Sequence, residues 1–194
     1  MILNRSEAMK APDLTSETKR LIIRPYQKQD YENWYTQFSR RLPSQSKYDE
    51  GYIDMSRFTK DWFSKWVQGF REGAKKDDMY ILGVFRKEDG ANVGTVELST
   101  ILRAKYQWAM MGYFIHNQFW EKGYGKESVI AATHLFFKQL NYHRIELHIN
   151  MDNEPSIRLA ESAGFIYECT RNEFTYERGR WTDLLIYYRN NDSL

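Results

Sequence analysis

Two stretches in the first half of the chain place hydrophobic side chains three or four positions apart, which predicts two helices. The first follows Asp30, a residue type that can cap a helix, and runs to about Arg40. The second is predicted to begin at Asp54. Its buried face carries five aromatic residues: Phe58, Trp62, Phe63, Trp66 and Phe70. An apolar run within 19–26 precedes both helices and ends at a proline, so it predicts a first strand.

The hydrophobic period then changes from helical spacing to alternation. Alternation in 79–86 and 92–99 around an Asp-Gly turn predicts a hairpin, because this dipeptide supplies the positive dihedrals of tight turns. A third strand is predicted over 108–115. Helical spacing returns in 126–140, and Asn141 is expected to end this helix in the left-handed conformation.

The last third of the chain again shows strand and helix patterns, in shorter segments. Apolar residues alternate with polar ones in 145–149 and predict a strand, and 155–163 predicts a helix that ends at Gly164. The segments 165–176 and 181–189 predict a closing hairpin. We therefore predict an α+β fold with an antiparallel front part, one strand-helix-strand crossover and a final hairpin.

Composition narrows the class of protein. A chain of 194 residues, 42% of them hydrophobic, fits one domain, which we place at 18–194 after a polar, aperiodic and loosely ordered segment 1–17. The 28 Lys and Arg residues nearly balance 26 Asp and Glu residues, which disfavours a dedicated nucleic-acid binder. One cysteine, Cys169, excludes an internal disulfide and indicates a reducing compartment, for which we predict the cytoplasm. The longest uncharged run, 106–120, is too short to cross a membrane.

The segment most informative about chemistry is 120–127, Trp-Glu-Lys-Gly-Tyr-Gly-Lys-Glu, between a predicted strand and a predicted helix. Gly123 and Gly125 let the backbone turn tightly and approach a ligand, and free amides at the start of the helix attract phosphate oxygens. Lys122 and Lys126 can add positive charge. The segment therefore predicts a site for a diphosphate.

Residue spacing separates three kinds of glycine loop. A Walker loop would need glycine where Trp120 stands and Ser or Thr in place of Glu127, so that interpretation fails. A dinucleotide fingerprint lacks its third glycine at Ser128, and the upstream hairpins differ from the alternating strands and helices of a doubly wound sheet. A glycine loop that only turns the chain stays open as an alternative.

Five motifs together resemble the GNAT superfamily of N-acetyltransferases. The segment 120–125 is similar to its Gln/Arg-x-x-Gly-x-Gly/Ala loop for acetyl-coenzyme A, with Trp120 in place of the first residue. The set, which covers about 18–189, is similar to the RimJ/RimL type, the ribosomal-protein N-acetyltransferase branch. The other four motifs are the first strand 18–25, Gly112-Tyr113, Asn153-Glu154-Pro155-Ser156 and Ala163-Gly164-Phe165.

This resemblance implies a GNAT fold, in which a mixed, mostly antiparallel sheet is splayed in the middle and flanked by helices. Acetyl-coenzyme A is expected in the splayed opening, without a metal. By resemblance, Asn153 would hold the pantetheine amide and the Ser156 hydroxyl would stabilise or protonate the leaving thiolate; a helix cap and a first-turn hydroxyl are the structural alternatives. Backbone amides near Phe114 or Ile115 would meet the pantetheine arm and the thioester carbonyl. The full implied cofactor set is Phe114, Ile115, Trp120, Lys122, Gly123, Tyr124, Gly125, Lys126, Asn153, Ser156 and Arg158.

The sequence departs from the family at the catalytic base. RimJ/RimL-like sequences often carry a glutamate shortly before the Gly-Tyr pair, where this chain has Ala109-Met110-Met111. We predict that Glu97, on the polar side of its strand, is the base. Glu146 and His148 are alternatives, and otherwise they are ordinary exposed strand residues.

The family places the loop between the first two helices over the acceptor end of the cleft. Three acidic residues in or near that loop, Asp49, Glu50 and Asp54, could hold a cationic amine or a basic peptide. The alternative is that they are solvated loop and cap residues.

We predict transfer of acetyl from acetyl-coenzyme A to a primary amine by direct attack, because a thioester already carries a good leaving group. The acceptor is expected to be the N-terminal amine of a protein, for which a ribosomal protein is a candidate. Two alternatives are a polyamine or aminoglycoside acetyltransferase, and a non-catalytic module that binds coenzyme A. No nucleic-acid or membrane partner is expected, and the chain is predicted to be a monomer or a homodimer.

Overall fold

The computed structural model of the protein describes residues 12–191, whose strands form one eight-stranded sheet. The strands are β1 Ser16–Glu17, β2 Leu21–Pro25, β3 Met79–Arg86, β4 Asn92–Leu102, β5 Trp108–Ile115, β6 Arg144–Asn150, β7 Ile166–Glu177 and β8 Arg180–Asn190. The helices are α1 Tyr31–Ser39, α2 Lys60–Lys75, α3 Tyr124–Leu140 and α4 Glu154–Ser162. Across residues 12–191, no helix is both long enough and apolar enough to cross a membrane.

The strand order β1-β2-β3-β4-β5-β6-β8-β7 confirms the predicted mixed, mostly antiparallel sheet. Every pairing is antiparallel except that of β5 with β6, which α3 connects. A parallel pair needs such a crossover, whereas antiparallel neighbours can be joined by tight turns. The predicted α+β class and crossover are therefore both confirmed.

Helices cover both faces of the sheet. On the back face, α3 and α4 pack on a core that includes Val96, Phe136 and Leu147. On the front face, α1 and α2 bury an aromatic cluster in which the Trp34 ring lies 4.9 Å from that of Phe63 and 5.4 Å from that of Trp66, centroid to centroid. The amphipathic spacing of the two early helices is thus explained by one shared apolar face.

Two predicted helix starts need comment. The second helix begins at Lys60, not at Asp54, because the Thr59 side chain accepts from the Trp62 amide and caps it. Asp54 instead accepts from the Ser56 amide in a turn before the helix. Asp30 occupies the N-cap position of α1 as predicted, but its carboxylate binds Arg24 rather than the helix amides.

The start of the sheet differs from the prediction. Ser16 and Glu17 pair with Ile23 and Ile22 as a two-residue strand just before the predicted domain start. Of the segment 1–17 that was expected to be loosely ordered, residues 1–11 lie outside the described residues. The extent of the single domain therefore stays a prediction.

A buried histidine marks the end of β5. His116 is fully buried, and neither ring nitrogen has a hydrogen-bond partner within the described chain. Its ring lies 4.5 Å from that of Phe38 and 5.4 Å from that of Phe114. Burial, and secondarily the charge of Arg41, lowers the pKa of His116 to about 3, so the folded protein holds a neutral imidazole.

We expect this histidine to make the fold acid-sensitive. Between pH 6.5 and about 3 the unfolded chain binds a proton at His116 that the folded chain does not, so stability falls as pH drops below 6.5. Replacing His116 with Phe removes this dependence. Between pH 7 and pH 5, urea unfolding should show the wild type losing about 2 kcal/mol more than the variant. Parallel pH profiles for the two proteins would contradict the assignment.

Candidate active site

The centre of the sheet opens between β5 and β6. The two strands pair at three positions, from Trp108 opposite Arg144 to Met110 opposite Glu146, and then separate. Beyond Met110, the β5 edge that faces β6 has no strand partner among residues 12–191, although its other edge stays paired with β4 as far as Ile115. Backbone groups along 111–115 are thus available to a ligand.

The glycine loop lies at the wide end of this opening. Gly123 is the N-cap of α3 and adopts φ 76°, a left-handed conformation that glycine tolerates best. Trp120 donates its indole N–H to the Ile115 carbonyl at 2.7 Å, which ties the loop to the end of β5. Lys122 and Lys126 are exposed. The first turn of α3 therefore presents its amides beside the opening.

A cleft of about 490 Å³ follows the opening and brings together most of the predicted cofactor residues. The predicted residues Lys122, Gly123, Tyr124 and Lys126 do not line it. Tyr124 is buried, and the Arg20 guanidinium lies 4.7 Å from its ring centroid. Arg158 lines the cleft, but it is largely exposed and pairs with Glu154 at 3.3 Å. The predicted residues that line the cleft are Phe114, Ile115, Trp120, Gly125, Asn153, Ser156 and Arg158.

At the start of α4, the predicted residues Asn153 and Ser156 are joined by a hydrogen bond. The Asn153 side chain caps the helix by accepting from the Ser156 amide at 3.4 Å. The Ser156 hydroxyl lies 2.8 Å from the Tyr113 hydroxyl. Burial raises the pKa of Tyr113 to about 12, so its hydroxyl keeps its proton at neutral pH.

Sequence reasoning missed the role of Tyr113. The residue was part of a family motif, but no local pattern indicates that its hydroxyl reaches a helix 43 residues later. Alternation along β5 does place Tyr113 and Phe114 on opposite faces. In the structure Tyr113 packs on the back face, whereas the Phe114 ring meets Phe38 of α1 on the front face.

Glu97 lies on the front face of β4, directly opposite Gly112 in β5. Its carboxylate has no hydrogen bond or ion pair with any other described residue, and desolvation by the surrounding protein raises its pKa although solvent still reaches the side chain. A Cβ atom at position 112 would lie 2.7 Å from a Glu97 carboxylate oxygen. Glycine is therefore required there for Glu97 to lie across β5.

The two alternative bases differ from what was predicted. Glu146 is only 2% exposed rather than an exposed strand residue. Its carboxylate accepts from Arg144 at 2.8 Å and from Arg171 at 3.4 Å, and it lies 2.8 Å from His148 Nε2. Burial alone would raise the pKa of Glu146, but these partners hold it below its usual value. Glu146 is thus a neutralised structural carboxylate.

The predicted acceptor ligands also need correction. Asp49 is buried, and its carboxylate accepts from Arg41 at 2.7 Å, from Asn117 at 3.0 Å and from two backbone amides. It anchors the loop between α1 and α2 and does not face either side of the opening. Glu50 is largely exposed, lies 4.0 Å from Arg41 and does not line the cleft. The acidic pair is therefore not brought to the cleft.

The loop between α1 and α2 also lines the cleft, through Gln45, Ser46 and Tyr48. Lys47 and Tyr48 both bind Asp152 at the turn before α4, and Arg178 at the tip of the β7–β8 hairpin donates to the Lys47 carbonyl. A second cavity of about 400 Å³ lies between the loop and this hairpin, and Tyr48 lines both cavities. Tyr48 thus lies between the cleft and the second cavity.

Comparison with known proteins decides the family. Residues 20–166 match the family described as "Acetyltransferase (GNAT) domain". The chain belongs to this family. Members of the family are N-acetyltransferases that use acetyl-coenzyme A, so the chain is an N-acetyltransferase, as the motifs predicted. "Probable N-acetyltransferase YjcK" of Bacillus subtilis (strain 168) is 32% identical over 126 residues, which span 65% of this chain and 70% of that protein.

Solved structures of acetyltransferases have a fold similar to that of this chain. The ribosomal-protein-S5-alanine acetyltransferase from Vibrio fischeri superposes with a TM-score of 0.74 at 22% identity, covering 93% of this chain and 98% of its own. The structure of Mycobacterium smegmatis RimJ in complex with CoA-disulfide superposes with a TM-score of 0.72 at 19% identity, covering 90% of this chain and 83% of its own. At these identities the two structures show a shared fold, which is the GNAT fold that the motifs predicted.

Proposed function

We propose that this N-acetyltransferase moves acetyl from acetyl-coenzyme A to a single primary amine, the N-terminal amine of a peptide or protein. One observation carries the proposal. A hydroxyl pair, Ser156 and Tyr113, lies at the cleft on the back side of β5, and Glu97, a carboxylate with no partner among the described residues, lies over Gly112 on the front side of β5. Direct transfer needs a proton donor for the thiolate and an acceptor for the amine proton, and these two sides supply them.

The cleft residues fit acetyl-coenzyme A. Backbone amides of the first turn of α3 and the positive end of that helix suit a diphosphate, with Lys122 and Lys126 adding charge nearby. The unpaired β5 edge near Phe114 and Ile115 suits the amides of a pantetheine arm, and Asn153 lies across the cleft from it. When bound, acetyl-coenzyme A supplies the activated acetyl group as a thioester.

On the back side, the Ser156 hydroxyl stabilises the departing thiolate by donating its proton or a hydrogen bond. Tyr113 stays protonated at neutral pH, and its hydroxyl lies 2.8 Å from Ser156 Oγ, so it can donate to that oxygen and leave the serine proton for the thiolate. Amides near Phe114 and Ile115 are the donors for the developing oxyanion.

On the front side, Glu97 accepts the proton of the attacking amine, directly or through one water. It has no cation to compete for its lone pairs, and its raised pKa brings it nearer to that of an amine. Because the fold supplies this carboxylate from β4, the glutamate missing near Met110 does not leave the front side without a base.

The carboxylates of the site differ in how they are paired. Asp49 and Asp152 have cationic partners, and so does Glu146, whereas Glu97 on the front side and Glu121 at the cleft have none within the described chain. The carboxylate of Glu97 suits one N-terminal amine. The second cavity, beside Tyr48, leaves room for the rest of a peptide. The similarity to a ribosomal-protein-S5-alanine acetyltransferase supports a ribosomal protein as the acceptor, and the single cysteine supports the cytoplasm.

Thiol release from acetyl-coenzyme A, measured against a panel of N-terminal peptides, spermidine and an aminoglycoside, tests the acceptor class. We expect release with peptides and at least about a tenfold lower kcat/KM with the small amines. Release with spermidine alone would transfer the assignment to small amines. Coenzyme A binding without release for any acceptor would support a non-catalytic module.

Glu97→Gln should lower kcat about a hundredfold at neutral pH, because the amide cannot accept the amine proton. The wild-type rate should also fall on the acid side at a pH above the ordinary glutamate value of 4.5, and the variant should lose this limb. Glu72→Gln in α2, whose side chain pairs with Lys75, is the matched control. Unchanged kcat in Glu97→Gln would remove Glu97 from the mechanism.

Ser156→Ala should lower kcat by about tenfold or more while the KM for acetyl-coenzyme A stays within about threefold, because the hydroxyl acts on the departing thiolate. Tyr113→Phe should have a smaller effect, since the serine hydroxyl remains. Ser162→Ala, at the other end of α4, is the control. If the KM for acetyl-coenzyme A rises and kcat is unchanged, Ser156 contributes to cofactor binding and not to stabilising the departing thiolate.

A further inference from the structure

The arginine of the first-strand motif reaches the glycine loop. Arg20 donates from NH1 to the Lys122 carbonyl at 2.8 Å and from Nε to Glu127 at 2.7 Å, and its guanidinium lies over the Tyr124 ring. Its backbone amide also donates to Glu127 at 3.2 Å. One side chain thus contacts the loop before the helix, the first helical residue and the first turn of α3.

These contacts decide how the loop presents its amides. Glu121 and Gly123 both have left-handed φ angles, 61° and 76°, so the loop backbone departs from regular helix and strand geometry. In a planar trans peptide, the Lys122 carbonyl and the Gly123 amide point in opposite directions. Because Arg20 holds that carbonyl on its own side, the Gly123 N–H faces away from Arg20.

The second contact neutralises a charge in an unfavourable place for anion binding. Glu127 lies in the first turn of α3, where its carboxylate competes with any diphosphate for the positive end of the helix. Burial would raise the pKa of Glu127, but hydrogen bonds from Thr18 and Arg20 outweigh burial and lower it, so the carboxylate is ionised. The ion pair with Arg20, at 2.6 Å, compensates this charge.

We propose that Arg20 is a positioning residue for the diphosphate of coenzyme A: it fixes the 122–123 peptide and neutralises Glu127 so that α3 can accept an anion. This inference rests on the proposed binding of the cofactor at the glycine loop. Arg20 acts through the loop and through Glu127, not on the reacting atoms. The Thr-x-Arg sequence at 18–20 therefore serves a site about a hundred residues later in the chain.

Calorimetric titration with coenzyme A tests this without an acceptor. We expect Arg20→Gln to raise the Kd at least about tenfold, because it removes the carbonyl contact and exposes the Glu127 charge. Arg20→Lys should give an intermediate Kd, since it keeps the charge but cannot bridge Lys122 and Glu127 together. Arg20→Gln combined with Glu127→Gln should recover part of the loss. This recovery should shrink in 0.5 M salt, because the Debye length there is well below the value of about 10 Å at 0.1 M and the Glu127 charge is screened.

Arg71→Gln is the matched control, because Arg71 is exposed on α2 and forms no ion pair with the described residues. A Kd for Arg20→Gln within about twofold of wild type would overturn the proposal. A double variant as weak as Arg20→Gln would overturn the charge compensation. A wild type that binds no coenzyme A would instead overturn the proposed cofactor site, so the two failures are distinguishable.

Discussion

The parallel pairing of β5 with β6 ends after three residue pairs, and the rest of the site depends on this early separation. Strands that stayed paired as far as Ile115 would use their backbone groups on each other and leave none for a ligand. The separation is stable because each strand keeps its other neighbour, β4 for β5 and β8 for β6. The sheet can therefore open at its centre while both halves stay hydrogen-bonded.

Several carboxylates near the opening are paired with cationic side chains, which compensate their negative charge. Asp49 is buried with Arg41, Glu146 is surrounded by two arginines and a histidine, and Glu127 is paired with Arg20. Removing one member of a buried pair leaves an uncompensated charge, so these groups stabilise the scaffold rather than react. Glu97 forms no ion pair with the described residues, and this is the basis on which we propose it as the base.

Long-range anchors hold the segments that surround the cleft. Asn117, just after β5, donates to the Leu42 carbonyl and accepts from the Leu42 amide, which fixes the start of the loop between α1 and α2. The far side of that loop reaches Asp152 and Arg178. The loop is thus held at both ends of the opening, and the sheet sets the separation of these anchors.

Local signals in the sequence determined the elements and the location of the glycine loop. The Asp-Gly turn, the left-handed cap at Asn141 and the Gly-x-Gly loop depend on backbone preferences of a few adjacent residues, so they can be read without a fold. The start of α2 was misplaced because Asp54 and Thr59 are both able to cap, and only packing of the aromatic face selects Thr59. Only the tertiary structure decided that Asp49 is buried, that Tyr113 meets Ser156 and that Arg20 holds Lys122. Each of these contacts joins residues far apart in the chain, and their pairing follows from sheet order and helix packing, which no local pattern encodes.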